Sequence, residues 1–203
     1  MKKIALFLAL ALSSMAVFAQ NLNRSELKQL QNFLAQPAEK HATNAEALKI
    51  TDVKTPASWE GVTITDGRVT AIDWKGKGLA GTLDLSGFKS LAKVDVSRNR
   101  LTGIKLAGDA ALSELNASRN RLSEIDLDGC GQLVKVSLNN NRITEFTLQD
   151  VPFVKNINIA SNLLAALDLQ ASSTLETLNC QSNHLESLTV ADCTALKNLY
   201  CGY

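Results

Sequence analysis

LSELNASRNRLSEIDL, residues 112–127, reads almost as a copy of LVKVSLNNNRITEFTL at 133–148. Counting from Asn120 in both directions, asparagines return at Asn99, Asn141, Asn162 and Asn183, each 21 residues from the next. Aligned on them, the chain gives LAKVDVSRNRL (91–101), LSELNASRNRL (112–122), LVKVSLNNNRI (133–143), VKNINIASNLL (154–164) and LETLNCQSNHL (175–185), with LKNLYCGY starting at 196. Farther along each copy comes a second apolar doublet, Ile104 and Leu106 in the first and Leu188 and Val190 in the last. Its alternation points to a short extended segment, and the period leaves little room for a long helix. The recurring amide has a structural use. Where a coil turns out of its strand, backbone N–H and C=O groups face inward without sheet partners, and asparagine carries both donors and an acceptor to satisfy them. The inward phase shared with Leu101 and its counterparts supports a stacked ladder over an exposed, ligand-binding column.

The pattern L-x-x-L-x-L-x-x-N-x-L resembles the leucine-rich repeat, and the resemblance covers residues 69–203. The short period looks most like the bacterial type of internalin and Bacteroidetes proteins. It implies a repeat solenoid, a right-handed superhelix of about six to seven coils with the last incomplete. A parallel β-sheet would line the concave face, with few helices outside an N-terminal cap. One coil alone cannot bury enough apolar surface to fold, so neighbours must supply the rest.

Ahead of the repeats, residues 1–19 place Lys2 and Lys3 before an apolar run and end in VFA, small residues of the kind a signal peptidase reads. Ser13 and Ser14 interrupt the run too early for a membrane anchor. Removal of this segment takes the formal net charge from +1 to −1. That balance offers no global basic field for nucleic acid or an anionic membrane. No second hydrophobic span is present, so a mature protein exported to the periplasm, cell surface or medium of a bacterium is expected, without membrane insertion. Residues 20–68 form the expected cap: NRSELKQLQNFLAQ (23–36) puts Leu27, Leu30, Phe33 and Leu34 on one helical stripe, with Ser25 as N-cap. A second short helix starts at Asn44, and Asp66-Gly67 turns one strand into the next. WEGVTI, RVTAIDW and GLAG resemble the cap of plant-type leucine-rich-repeat receptors, except that Ile64 stands where those caps carry cysteine. Val69, Ile72, Trp74 and Leu79 make an extra coil, 22 residues ahead of the next.

Four cysteines in an exported chain suggest two disulfides, but the repeat frame argues for free, buried thiols. Cys180 and Cys201 both replace the third leucine and should point into the core of adjacent coils. They are close enough for a bond, with unfavourable parallel side-chain vectors. Cys130 and Cys193 share a position three coils apart, roughly 14 Å, which is too far to bridge. The catalytic inventory is thin: His41 and His184 are the only histidines, and no H-E-x-x-H, C-x-x-C, G-x-S-x-G or Walker loop occurs. A non-enzymatic protein with no cofactor and no metal is expected.

Strand residues between the leucines should face outward on the concave sheet. One column reads Asp73, Asp95, Asn116, Ser137, Asn158, Asn179 and Tyr200, and a third reads Lys75, Ser97, Ser118, Asn139, Ala160 and Gln181. Arg98 stacks with Arg119, and Arg100, Arg121 and Arg142 run along the adjoining ridge. Such a ridge either meets an acidic partner or is neutralised by Glu124, Glu145 and Asp126. The candidate partner-binding set is Asp95, Asn116, Ser137, Asn158, Asn179, Tyr200, Arg98 and Arg119. Few aromatics stand on this face, which makes a protein partner a better fit than a glycan. The alternative is a structural role through end-to-end self-association, because Leu196 and Leu199 have no capping helix after them.

Overall fold

The structure, a computed structural model, describes residues 23–148, 151–170 and 172–202. The signal-peptide segment 1–19 lies outside the described residues.

Helix α1 (Arg24–Leu34) buries Leu30, Phe33 and Leu34 against the first coil. Its N-cap is Asn23, whose Oδ1 accepts from the backbone N–H groups of Ser25 and Glu26 at 3.0 and 3.1 Å. Ser25, expected in that role, lies inside the first turn instead. The helix starts earlier because the Asn23 N–H is tied to Gly67 O at 2.9 Å, which holds Asn23 at the non-helical φ of −57° and ψ of 117°. A single turn, α2 (Asn44–Ala47), follows behind the Thr43 cap, and a 3₁₀ turn (Pro56–Ser58) leads to Trp59.

Trp59 is buried and donates its indole N–H to Asp52 O at 2.9 Å. Strands β1 (Val62–Thr65) and β2 (Arg68–Asp73) then form an antiparallel hairpin. Its two turn residues, Asp66 and Gly67, have φ of 49° and 69°, the left-handed pair that matches strand twist. Trp74 is fully buried and stacks on Phe33 with ring centroids 5.8 Å apart. Glu26, also buried, accepts from Arg68 Nη1 at 2.9 Å and from Val69 N at 3.0 Å, so the helix is fastened to the hairpin through one carboxylate.

From there the chain coils. The remaining strands are β3 (Ala80–Asp84), β4 (Lys93–Asp95), β5 (Arg100–Lys105), β6 (Glu114–Asn116), β7 (Lys135–Ser137), β8 (Asn156–Asn158), β9 (Ala166–Asp168), β10 (Thr177–Asn179), β11 (Ser187–Thr189) and β12 (Asn198–Tyr200). One sheet runs β1-β2-β4-β6-β7-β8-β10-β12, and every pair after the hairpin is parallel. Register is constant, so Val94, Leu115, Val136, Ile157, Leu178 and Leu199 stack in one column. All but Leu199 are buried in the continuous core. On the far wall two parallel pairs form, β3 with β5 and β9 with β11. Between them the apolar doublets Ile125/Leu127 and Phe146/Leu148 point inward without forming strands. The bond there from Thr144 N to Ser123 O is stretched to 3.4 Å.

All four cysteines are free, and Cys130, Cys180 and Cys193 are buried. Cys201 departs from the expected core position and is exposed, because among the described residues no coil packs over the one that carries it. The thiols of Cys130 and Cys193 approach Leu106 O and Leu169 O, at 3.7 and 3.3 Å. Burial pushes the Cys130 thiol up to about 12 and the Cys180 thiol up to about 11, so both remain protonated and unreactive at neutral pH.

Candidate recognition surface

The surface is positioned by the five asparagines. Asn120 Oδ1 accepts from Leu101 N of the preceding coil at 3.0 Å, while its Nδ2 donates at 3.0 Å both to Val96 O of that coil and to Ala117 O of its own. Asn141, Asn162 and Asn183 repeat the pattern at the same sequence offsets. Asn99 reaches one residue farther back, to Leu79 N and Trp74 O, because the coil before it is one residue longer. Each amide therefore fastens two coils. The turn that delivers it inward demands a left-handed residue immediately before, and Arg98, Arg119, Asn140, Ser161 and Ser182 all adopt φ between 54° and 59°. That requirement was not read from the sequence, where only Asn140 is a residue that favours this region.

The constant register sets Asp73, Asp95, Asn116, Ser137, Asn158, Asn179 and Tyr200 in one row across the sheet. These side chains are less free than an outward column suggests. Asp95, Asn116, Asn158 and Asn179 each turn Oδ1 back onto the backbone N–H two residues ahead, at 2.9 to 3.3 Å. Asn116 also donates to Asp95 Oδ2 at 3.0 Å. Ser97, expected to face outward, is buried because its hydroxyl donates to Asp95 Oδ1 at 2.6 Å. Among the described residues, Nδ2 of Asn158 and of Asn179 has no protein partner, so these two amides keep N–H donors free, beside the exposed Asp73 and Tyr200 at the ends of the row.

The sheet's curvature brings β1 and β7 to the walls of one depression of about 440 Å³. Val62 and Thr63 line one side, Lys135 and Ser137 the other, and Asp95 and Asn116 its floor. Lys93 and Glu114 neutralise each other at 3.0 Å. Asp73 and Lys135 are left as separated opposite charges, neither in an ion pair among the described residues. The contribution of β1 was missed from the sequence, although the Asp66-Gly67 hairpin carried the signal. No group of three or more His, Cys, Asp or Glu side chains is placed to hold a metal among the described residues.

Arg98 and Arg119 stand at the rim, exposed, three residues past Asp95 and Asn116. Arg100 pairs with Glu39 of the cap. Among the described residues, Glu124, Glu145 and Asp126 form no ion pair with any of the arginines, so the neutralised edge considered from the sequence is not formed. The acidic residues lie three or more positions along extended chain from Arg121 and Arg142, roughly 10 Å in backbone length. At the far end Leu199 and Tyr200 are 41% and 49% exposed on the open side of β12.

Comparison with known proteins gives structural matches alone, since no protein-family model and no curated protein matches this sequence. The leucine-rich-repeat ectodomain of the receptor kinase SOBIR1 from Arabidopsis thaliana superposes with a TM-score of 0.60 at 21% identity, covering 83% of this chain and 97% of that one. A chain of the BIR3–SERK2 complex from the same plant gives 0.57 at 18% identity, covering 77% and 90%. The functional domain of InlJ from Listeria monocytogenes matches at 0.46 and 21% identity over 59% of this chain, which spans 34% of that domain's length. Identities this low speak for the fold. With the amide ladder, the repeat register and the superposition on plant ectodomains in agreement, the chain is a leucine-rich-repeat solenoid.

Proposed function

We propose that this protein is an exported, non-enzymatic recognition module that binds a protein partner across its concave sheet. The observation that carries the reading is the row from Asp95 to Tyr200, a preorganised polar strip whose outward amide donors stand beside the depression between β1 and β7. Backbone groups of a partner segment offer the carbonyl acceptors that Asn158 and Asn179 lack, and rigid presentation lowers the entropy cost of meeting them. Arg98 and Arg119 at the rim would steer an acidic partner. The plant structures support a protein ligand by analogy of fold, one of them being a chain in a protein complex. A glycan fits less well, since Tyr200 is the only aromatic in the row. The lysine-led segment 1–19 supports export from a bacterium.

The test replaces Ser137, Asn158 and Asn179 by arginine and follows capture of a specific partner from native envelope or host extract. Loss of capture by a variant that melts like the parent supports concave binding; undiminished capture sinks it.

A second reading is favoured by the open side of β12. Leu199 and Tyr200 there, next to exposed strand backbone, suit end-to-end association of two copies. Sedimentation velocity at rising concentration distinguishes the two: a strict monomer rules association out.

A further inference from the structure

Where each coil leaves the concave sheet, equivalent positions of three successive coils carry Arg121, Arg142 and Leu163. Backbone bonds hold them in step: Arg121 N to Leu101 O at 2.9 Å, Arg142 N to Leu122 O at 2.8 Å and Leu163 N to Ile143 O at 2.9 Å. Their spacing is therefore that of sheet strands, about 4.8 Å. Arg98 and Arg119 form a parallel row two residues earlier. All four arginines are exposed, and Leu163 is 44% exposed. None of the four joins an ion pair among the described residues, whereas Arg100, in line with Arg121, is paired with Glu39. Like charges at this spacing repel one another, and an anionic partner relieves that repulsion.

We propose that this ridge binds an acidic α-helix of a protein partner, laid along the solenoid axis, with carboxylates on Arg121 and Arg142 and an apolar side chain on Leu163. A helix presents one face roughly every 3.5 residues, a rise of about 5.3 Å, which keeps step with the coils. An extended strand shows the same face every 6.6 to 6.8 Å or so, and by the third coil is out of step by nearly one coil. Helical positions i, i+3 or i+4, and i+7 therefore carry acid, acid and an apolar residue. The guanidinium fork donates two N–H bonds to each carboxylate. Arg98 and Arg119 flank the helix from the other side and take acids on its neighbouring stripe. Leu163 breaks the charge of the row at the third step, and neither a polyphosphate nor a sulfated chain offers a counterpart to it. The proposal rests on the chain being a protein-recognition module, but it uses the ridge rather than the concave row and shares with that surface only the rim arginines Arg98 and Arg119.

The probe is a lactam-bridged, alanine-rich helical peptide with glutamates at i and i+4 and leucine at i+7, titrated into the full chain and followed by amide chemical shifts. Saturable shifts confined to the turns at 98–101, 119–122, 140–143 and 161–164 are expected. The double variant Arg121→Gln, Arg142→Gln should weaken binding about tenfold, and Leu163→Ser should weaken it severalfold, both with unchanged melting. Arginine at Asn158 and Asn179 should leave peptide affinity intact, so loss of the concave site and loss of the ridge are told apart. The proposal is overturned if a peptide of identical composition with its glutamates scattered around the helix binds equally well. It is equally overturned if heparin or phosphatidylserine vesicles bind the ridge more tightly than the peptide, or if no ridge shift saturates.

Discussion

In the slot filled by Phe88, Cys130, Val151, Ser172 and Cys193 in other coils, the chain carries Asp109 with its side chain 0% exposed. Its Oδ1 accepts from Phe88 N at 2.9 Å, and its Oδ2 is buried without a partner. Burial is the main force raising this carboxyl from 3.8 to about 7, against the opposing bond from Phe88. A carboxyl whose folded pKa lies above its unfolded one binds its proton more tightly when folded. Its contribution is fully present below pH 3.8 and is lost as the pH rises through about 7. Asp109→Asn keeps the Oδ1 acceptor and removes the titration. The variant should gain on the wild type by about 2–4 kcal/mol between pH 4 and pH 8, measured as the difference in urea unfolding free energy at the two values. A difference that does not change with pH would show Asp109 to be solvated in the native state. At the ladder, Asn120→Ala leaves Leu101 N and the carbonyls of Val96 and Ala117 without their side-chain partner. A loss of about 2–4 kcal/mol is expected in the same measurement.

Among the elements, the N-terminal cap is joined to the solenoid by side chains that imitate a strand. Gln36 donates to Thr82 O at 2.9 Å and accepts from Thr82 N at 2.9 Å. Asn44 does the same to Ala80, at 2.9 and 3.1 Å, and spends its second N–H on Phe33 O. Two amides thus close the edge of β3, which would otherwise expose a row of unpaired backbone groups. Gly81 makes this approach possible. Its φ is 85°, and a Cβ there would stand 2.0 Å from Gln36 Oε1. Gly81→Ala should therefore strain the β3 backbone where its register with β5 shifts and push Gln36 off Thr82, costing about 2–3 kcal/mol. Greater trypsin cleavage between 36 and 58 would report the cap coming away, and an unchanged digestion pattern would contradict this account of the joint.

At the scale of the whole molecule, stability is shared between neighbours, so each coil is as secure as the coils on either side. The first coil lies under α1 and the hairpin, with Phe33 and Trp74 stacked between them. Among the described residues, strand β12 has a sheet partner on one side only, and Leu199 and Tyr200 are exposed. Amide hydrogen exchange should therefore be slowest in β4 to β7 and quicken stepwise through β10, β11 and β12. Uniform protection from end to end would mean the solenoid opens as one unit.

The period of 21 residues made the solenoid, its parallel sheet and the inward asparagines legible before any coordinates, because each coil has to bury the same face and satisfy the same turn groups. The Asp66-Gly67 hairpin and Asn44 helix were legible for local reasons of turn chemistry and capping. Departures arose wherever a side chain answered to something far away in sequence. Asn23 displaced Ser25 as the cap because its N–H is tied to Gly67 O, 44 residues on. Asp109 looks like an ordinary loop acid until Phe88 and Cys130 enclose it. Whether an arginine is paired was also settled in three dimensions: Arg100 found Glu39 in the cap, while Arg121 and Arg142 found no carboxylate among the described residues. Periodic burial is a property each repeat carries locally, whereas solvation, pairing and exposure depend on which distant atoms the folded chain brings within a few ångströms.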